Sequence, residues 1–298
     1  MNPRMRALCV PIVALGVFLS CGGGSDLAGA TGTGNPPVVT ASLSVVADTA
    51  APPVLGKRAA LRLIDPREVL PFPLGPDGGF TIADDDGLPF TIDSALLLVS
   101  RITFVTAGEC GLRSGSGYDP ALECDSQGLS ISGPFTFDLL RGTADPPLDS
   151  LVIPCGSYTG IRLHHGAAAG AAYLNKYADG PRGERSLYLA GSFLYNDTLR
   201  PFMMASGSGL GGVVLGGVHP MELDGDRAHF AVTLAVQGWL ASVNLAGCLG
   251  SGELAIEPPH PLVLTTDVVA GPCIGLMHRI QENIVRSAVL GLFTWSTR

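Results

Sequence analysis

The sequence predicts a mainly β fold, an antiparallel β-sandwich (or open barrel) with one C-terminal helix. Three observations predict it. Short apolar segments alternate with polar residues at a period of two, clusters of Gly, Pro and Asp punctuate them, and only one segment near the C-terminus has apolar residues at three- and four-residue spacing. The chain has 298 residues, 46% apolar and 15% charged, enough length for a sizeable core. Its 40 Gly and 23 Pro make up about a fifth of it. That is below the roughly 25–30% that marks low-complexity disorder.

The N-terminus is an address. Arg4 and Arg6 form a basic region, Ala7 to Leu19 an apolar one interrupted only by Pro11 and Gly16, and Phe18-Leu19-Ser20-Cys21 follows. This is the form of a secretory signal peptide. Its end resembles the lipobox of bacterial lipoproteins: aliphatic, small, then cysteine. The resemblance implies cleavage before Cys21 and a diacylglyceryl group on that thiol. Buried acyl methylenes at about 0.8 kcal/mol each make such anchoring stable. Gly22, where the lipoprotein rule places Asp for inner-membrane retention, implies the outer membrane. Gly22-Gly23-Gly24-Ser25 opens a tether running to about residue 39, which would hold the domain roughly 25 Å from the lipid. Cleavage removes two arginines and leaves 16 basic against 26 acidic residues, a charge of −10. Such a chain does not hug an anionic bilayer.

Residues 40–298 read as a single β-rich domain. Phe90 to Val105 is strand material, with Leu96, Leu98, Ile102 and Phe104 expected on one face. Phe135–Leu140, Tyr158–His164 and Leu187–Leu194 follow. The expected turns are Gly75–Gly79, Asp84–Gly87, Asp145–Pro147, Asp179–Pro181 and Glu257–Pro259. Phe230 to Gly250 carries no charged residue over 21 positions, long enough for a membrane span. Its alternation reads instead as a strand, with Gly238 and Gly247 at a bend or turn. The helix is placed on Met277, Ile280, Ile284 and Ala288. Glu282 stands four residues before Arg286, Pro272 is a start signal and Gly291 a stop signal. It reads as a cap over an open end of the sandwich.

Seven cysteines fit export. Cys9 leaves with the signal peptide and Cys21 takes the lipid. Cys110 and Cys124 flank a Gly/Ser-rich loop, where a bridge would contribute about 3 kcal/mol by loop entropy. Cys248 and Cys273 flank the segment before the helix. Cys155 is then the odd thiol, unless it takes one of those partners, since connectivity is not fixed by sequence.

The passage Phe137-Asp138-Leu139-Leu140, then Val152 through Leu163 with Pro154, Gly156, Tyr158 and Ile161, resembles uncharacterised β-sandwich lipoproteins of bacteria. Ile280 to Ser287 is similar to some of them as well. The resemblance covers about a third of the chain. It implies a fold and an exported lipoprotein, and no catalytic residue. The turn Tyr158-Thr159-Gly160-Ile161 is also similar to one in copper-associated periplasmic lipoproteins.

Chemistry is sparse. The net charge of −8 argues against nucleic acid, which needs a basic surface, and 6% aromatics disfavour a stacking platform. His164-His165 with Met203-Met204 or Met221 would offer imidazole and thioether to copper. Adjacent strand residues point to opposite faces, so that pair converges only through a turn at Gly166. Asp84-Asp85-Asp86-Gly87 and Glu222-Leu223-Asp224-Gly225-Asp226 would offer oxygens to Ca²⁺, although neither has EF-hand spacing. Hydrolase, zincin, P-loop and dinucleotide motifs are absent in usable context, and Gly207–Gly212 reads as a hairpin loop. The expectation is a non-enzymatic, lipid-anchored envelope protein without a cofactor. It would meet the membrane through its lipid and bind an envelope protein or small ligand. The alternative is a metal-binding (copper or calcium) periplasmic lipoprotein.

Overall fold

The computed structural model describes residues 37–48, 79–108, 110, 117–165, 185–207, 213–223, 226–254, 256, 261–265 and 273–295. The expected signal peptide, Cys21, the expected tether up to residue 36, the turns at 75–78, 179–181 and 257–259, and residues 208–212 and 224–225 lie outside them; Val38 and Val39, expected in the tether, open the first strand instead.

Two open sheets face each other, as the sequence predicts. The first has the order β14(Ala288–Trp295), β12(Arg227–Ala235), β1(Val38–Asp48), β7(Leu151–Pro154). The second has ten strands around the 18-residue β3(Pro89–Thr106). One edge of β3 pairs with β8(Gly156–His165) and β9(Arg185–Tyr195), which continue to β11(Val213–Leu223), and to β10(Thr198–Gly207) and β13(Leu262–Thr265). Its other edge pairs with β2(Phe80–Ala83) and β5(Gly128–Asp138), and β5 also carries β4(Leu122–Asp125) and β6(Thr143–Asp145). Pairing is antiparallel except for β1 with β12 and β10 with β13.

Alternation builds the core. Val39, Ala41, Leu43, Val45 and Ala47 of β1 are buried against Leu129, Ile131, Phe135 and Phe137 of β5 and their neighbours in one cluster between the sheets. Phe90, Phe193 and Phe202 pack ring to ring at one end, and Phe104 against Phe230 further along.

Strand β3 departs from the expected parity. Register shifts fall between Ile92 and Ser94 and between Val99 and Arg101. Each added residue turns the following side chains over. The core therefore takes Ile92, then Ala95, Leu97 and Val99, then Ile102 and Phe104. Leu96 lies on the opposite face with Tyr188 and Ala205, and so does Leu98, between core residues Leu97 and Val99.

The segment after Phe230 is a strand only through Ala235. A 3-10 turn at Val236–Gly238 follows, then a short helix α1(Leu245–Gly250), so the one-helix expectation is corrected. Asn244 caps α1 by accepting from the Gly247 amide at 2.5 Å. Trp239 is fully buried and donates Nε1–H to Ser287 Oγ at 3.1 Å, a packed position that a strand-end reading does not provide. Among the described residues no helix is long and apolar enough to cross a membrane.

The predicted C-terminal helix is α2(Leu276–Arg286), burying Leu276, Met277, Ile280 and Ile284 against β10 and β12. It ends earlier than expected. Gly291 is not its stop signal but lies inside β14, which pairs antiparallel with β12. Ala288 continues the helical spacing numerically, yet it opens that strand.

Candidate functional site

Both predicted cysteine pairs are at bonding distance. Cys110 and Cys124 have S–S 1.99 Å, and Cys248 and Cys273 have S–S 1.95 Å. Cys155 is buried.

The richest polar constellation sits on the outer face of the larger sheet, and alternation puts it there. Ile161 and Leu163 of β8, Ile102 and Phe104 of β3, and Leu129 and Ile131 of β5 turn inward. Arg162 and His164, Arg101 and Thr103, and Ser130 then share the outer face. Register makes them neighbours: Thr103 lies between Ser130 and Arg162, and Arg101 lies opposite His164. Asp125 closes the row from the β4–β5 turn, its Oδ1 accepting from the Gln127 and Gly128 amides at 2.7 and 3.1 Å. Gly128 is required here. Its φ is +136°, and a Cβ would lie 2.3 Å from the Phe104 carbonyl oxygen.

The hydrogen bonds run in one direction. Ser130 Oγ donates to Asp125 Oδ2 at 3.4 Å, so it accepts from Thr103 Oγ1 at 2.8 Å. Thr103 Oγ1, its proton used, accepts from His164 Nε2 at 3.0 Å. The chain fixes the Nε2–H tautomer and leaves a lone pair on Nδ1. Thr103 and Ser130 are fully buried, so each needs the bonds it makes. Arg101 Nη2 donates to Asp125 Oδ2 at 2.6 Å, and Arg162 Nη1 donates to Gln127 Oε1. Burial pushes the His164 pKa down, the Arg162 and Arg101 charges push it further, and Asp125 opposes them. The Gln127 amide holds the Asp125 carboxyl below its usual value against its own desolvation, and Arg101 adds to this. The arrangement thus presents a neutral, oriented imidazole beside two guanidinium groups.

A second imidazole lies on the outer face of the smaller sheet. His229 Nδ1 meets Ser42 Oγ at 2.8 Å and Nε2 meets Ser44 Oγ at 3.1 Å, with burial lowering its pKa.

Among the described residues the sequence-predicted metal candidates do not assemble; the His165 side chain and Asp224 lie outside them. Met204 and Met221 are in the core between the sheets, on the other side of the backbone from His164. Met203 packs with Leu96, Tyr188 and Ala205. Asp84 is buried and spent on structure, with Oδ1 accepting from Asp86 and Leu88 and Oδ2 from the Ala246 amide. Asp85 accepts from the Ser242 amide. Among the described residues no three His, Cys, Asp or Glu side chains gather as a metal site.

The sequence pointed to His164 but not to Thr103, Ser130, Asp125, Arg101 or Arg162. Their signal is polar residues at outward positions of three strands, visible only once the register is known.

No family model, no curated protein and no solved structure matches the chain.

Proposed function

We propose that the chain is a lipid-anchored extracytoplasmic β-sandwich with a non-enzymatic binding or structural role in the bacterial cell envelope, held in the outer membrane through Cys21. The observation that carries this reading is the N-terminal pattern: a basic start, an apolar run, Cys21, then a glycine-rich tether. The two disulfides support it, because such bonds persist in an oxidising compartment. The fixed polar row on the outer face of the larger sheet is a rigid surface of the kind a binding protein uses. Its partner is an envelope protein or small ligand and not nucleic acid, given the net charge of −8.

The test is production of the full chain in a Gram-negative host fed an alkyne analogue of palmitate. The expected result is a labelled, membrane-associated protein whose N-terminal residue is Cys21, with label lost in Cys21→Ala. A mature N-terminus elsewhere, or a peptide joining Cys21 to Cys155 by a disulfide, would overturn the reading, since a thioether-linked sulfur cannot bridge.

A further inference from the structure

Among the described residues four buried side-chain nitrogens have no hydrogen-bond partner, and two of them, Arg101 Nε and Arg162 Nε, belong to the same outer-face row. Native structures leave few such donors, and a group left unpaired points to a missing acceptor. The charges agree. Asp125 neutralises Arg101 at 2.6 Å, whereas among the described residues Arg162 donates only to the neutral amide of Gln127. Among the described residues the next carboxylate on this face, Glu123, pairs with Ser130, three strand spacings from Arg162. That is about 14 Å, beyond a Debye length in physiological salt. Arg101 and Arg162 are diagonal neighbours across β3 and β8, close enough for both charges to act on His164. An acidic chain therefore carries a fixed basic spot.

We propose that Arg162, Arg101 and His164 form an anion site that takes a phosphate-type oxyanion. Arg162 is the main ligand, giving the guanidinium edge that Gln127 does not use. A planar guanidinium meets such oxygens in bidentate fashion, which a lysine cannot do. Arg101 is braced by Asp125 and contributes its remaining N–H groups. His164, fixed through Thr103, Ser130 and Asp125, stands at the rim and adds a donor when protonated. The site goes beyond the envelope reading and stands whether or not Cys21 carries lipid. The oxyanion is either free phosphate or the phosphodiester of a lipid headgroup.

The full chain, solubilised in a non-ionic detergent, is titrated with inorganic phosphate by calorimetry and by the imidazole signals of His164. In parallel it is titrated with short-chain phosphatidylglycerol and short-chain phosphatidylcholine. Saturable phosphate binding that moves the His164 signals, weakened about tenfold or more in Arg162→Gln and only partly restored in Arg162→Lys, supports a free-phosphate site. Binding of short-chain phosphatidylglycerol but not short-chain phosphatidylcholine, lost in Arg162→Gln, supports the headgroup source. Glu282→Gln, which removes a salt bridge on α2 outside the row, retains binding, which separates the site from general damage. Binding to neither probe, or binding unchanged in both Arg162→Gln and Arg101→Gln, overturns the proposal.

Discussion

Single side chains decide how the outer face behaves with pH. His164 and His229 are both held below the ordinary imidazole value of 6.5, first of all by burial. As pH falls, the unfolded chain takes up protons at these positions before the folded one does, so the folded state loses stability from about pH 6.5 downward. Asp125, held below its ordinary 3.8, adds stability that is complete above that value and lost below it. Denaturant midpoints measured from pH 8 to pH 3 should fall in those two windows. Asp125 raises the His164 pKa, so Asp125→Asn should lower the His164 titration midpoint further, as read from its imidazole resonances. Thr103→Val should cost about 1–3 kcal/mol, because it strands Ser130 and the His164 Nε2–H; equilibrium unfolding measures this. At this scale little was legible in advance. His164 stands out in a sequence because histidine is rare there, but Thr103 and Ser130 are ordinary strand residues until register joins them across a separation of 27 positions.

Elements were easier to read, and their failures have physical causes. The strands around Tyr158 and Leu187 and the helix at Met277 follow from period alone. The faces of β3 do not, because two register shifts reverse its parity and send Leu96 and Leu98 outward. A bulge leaves no compositional mark in an uninterrupted apolar run. The short helix α1 was hidden for a different reason. Its six residues are too few for a helical period to emerge from alternation, and its cap is a single asparagine. The β4–β5 turn makes a sharper demand. Gly128→Ala should cost about 2 kcal/mol or more, combining a left-handed backbone with a close approach to the Phe104 carbonyl, and thermal melts would register it as a lowered Tm. A smaller loss would mean that β5 can move off β3. Cys110→Ser with Cys124→Ser should cost roughly 3 kcal/mol by loop entropy, tested by melting the double variant against the oxidised parent.

At the scale of the whole molecule, the sandwich was legible and its connectivity was not. Alternating segments separated by Gly, Pro and Asp announce two packed sheets. They do not announce that β1 lies between β12 and β7, or that its pairing with β12 is parallel, because a contact over 187 positions leaves no local trace. The same holds for β14, which closes the edge of the smaller sheet with the last described residues of the chain.

The position of β1 has a mechanical consequence. The chain that precedes Val38 leads straight into a strand held along both edges, from Thr40 to Asp48 against β12 and from Val38 to Ala41 against β7. Tension applied from that end acts along the strand axis, so the hydrogen bonds are loaded together in shear. Tension applied beyond Trp295 meets an edge strand with one partner, at the end where Trp295 pairs with Arg227. Forced unfolding is governed by the barrier to rupture. Of the two ends, the one that leads into Val38 is therefore built to withstand the greater pull.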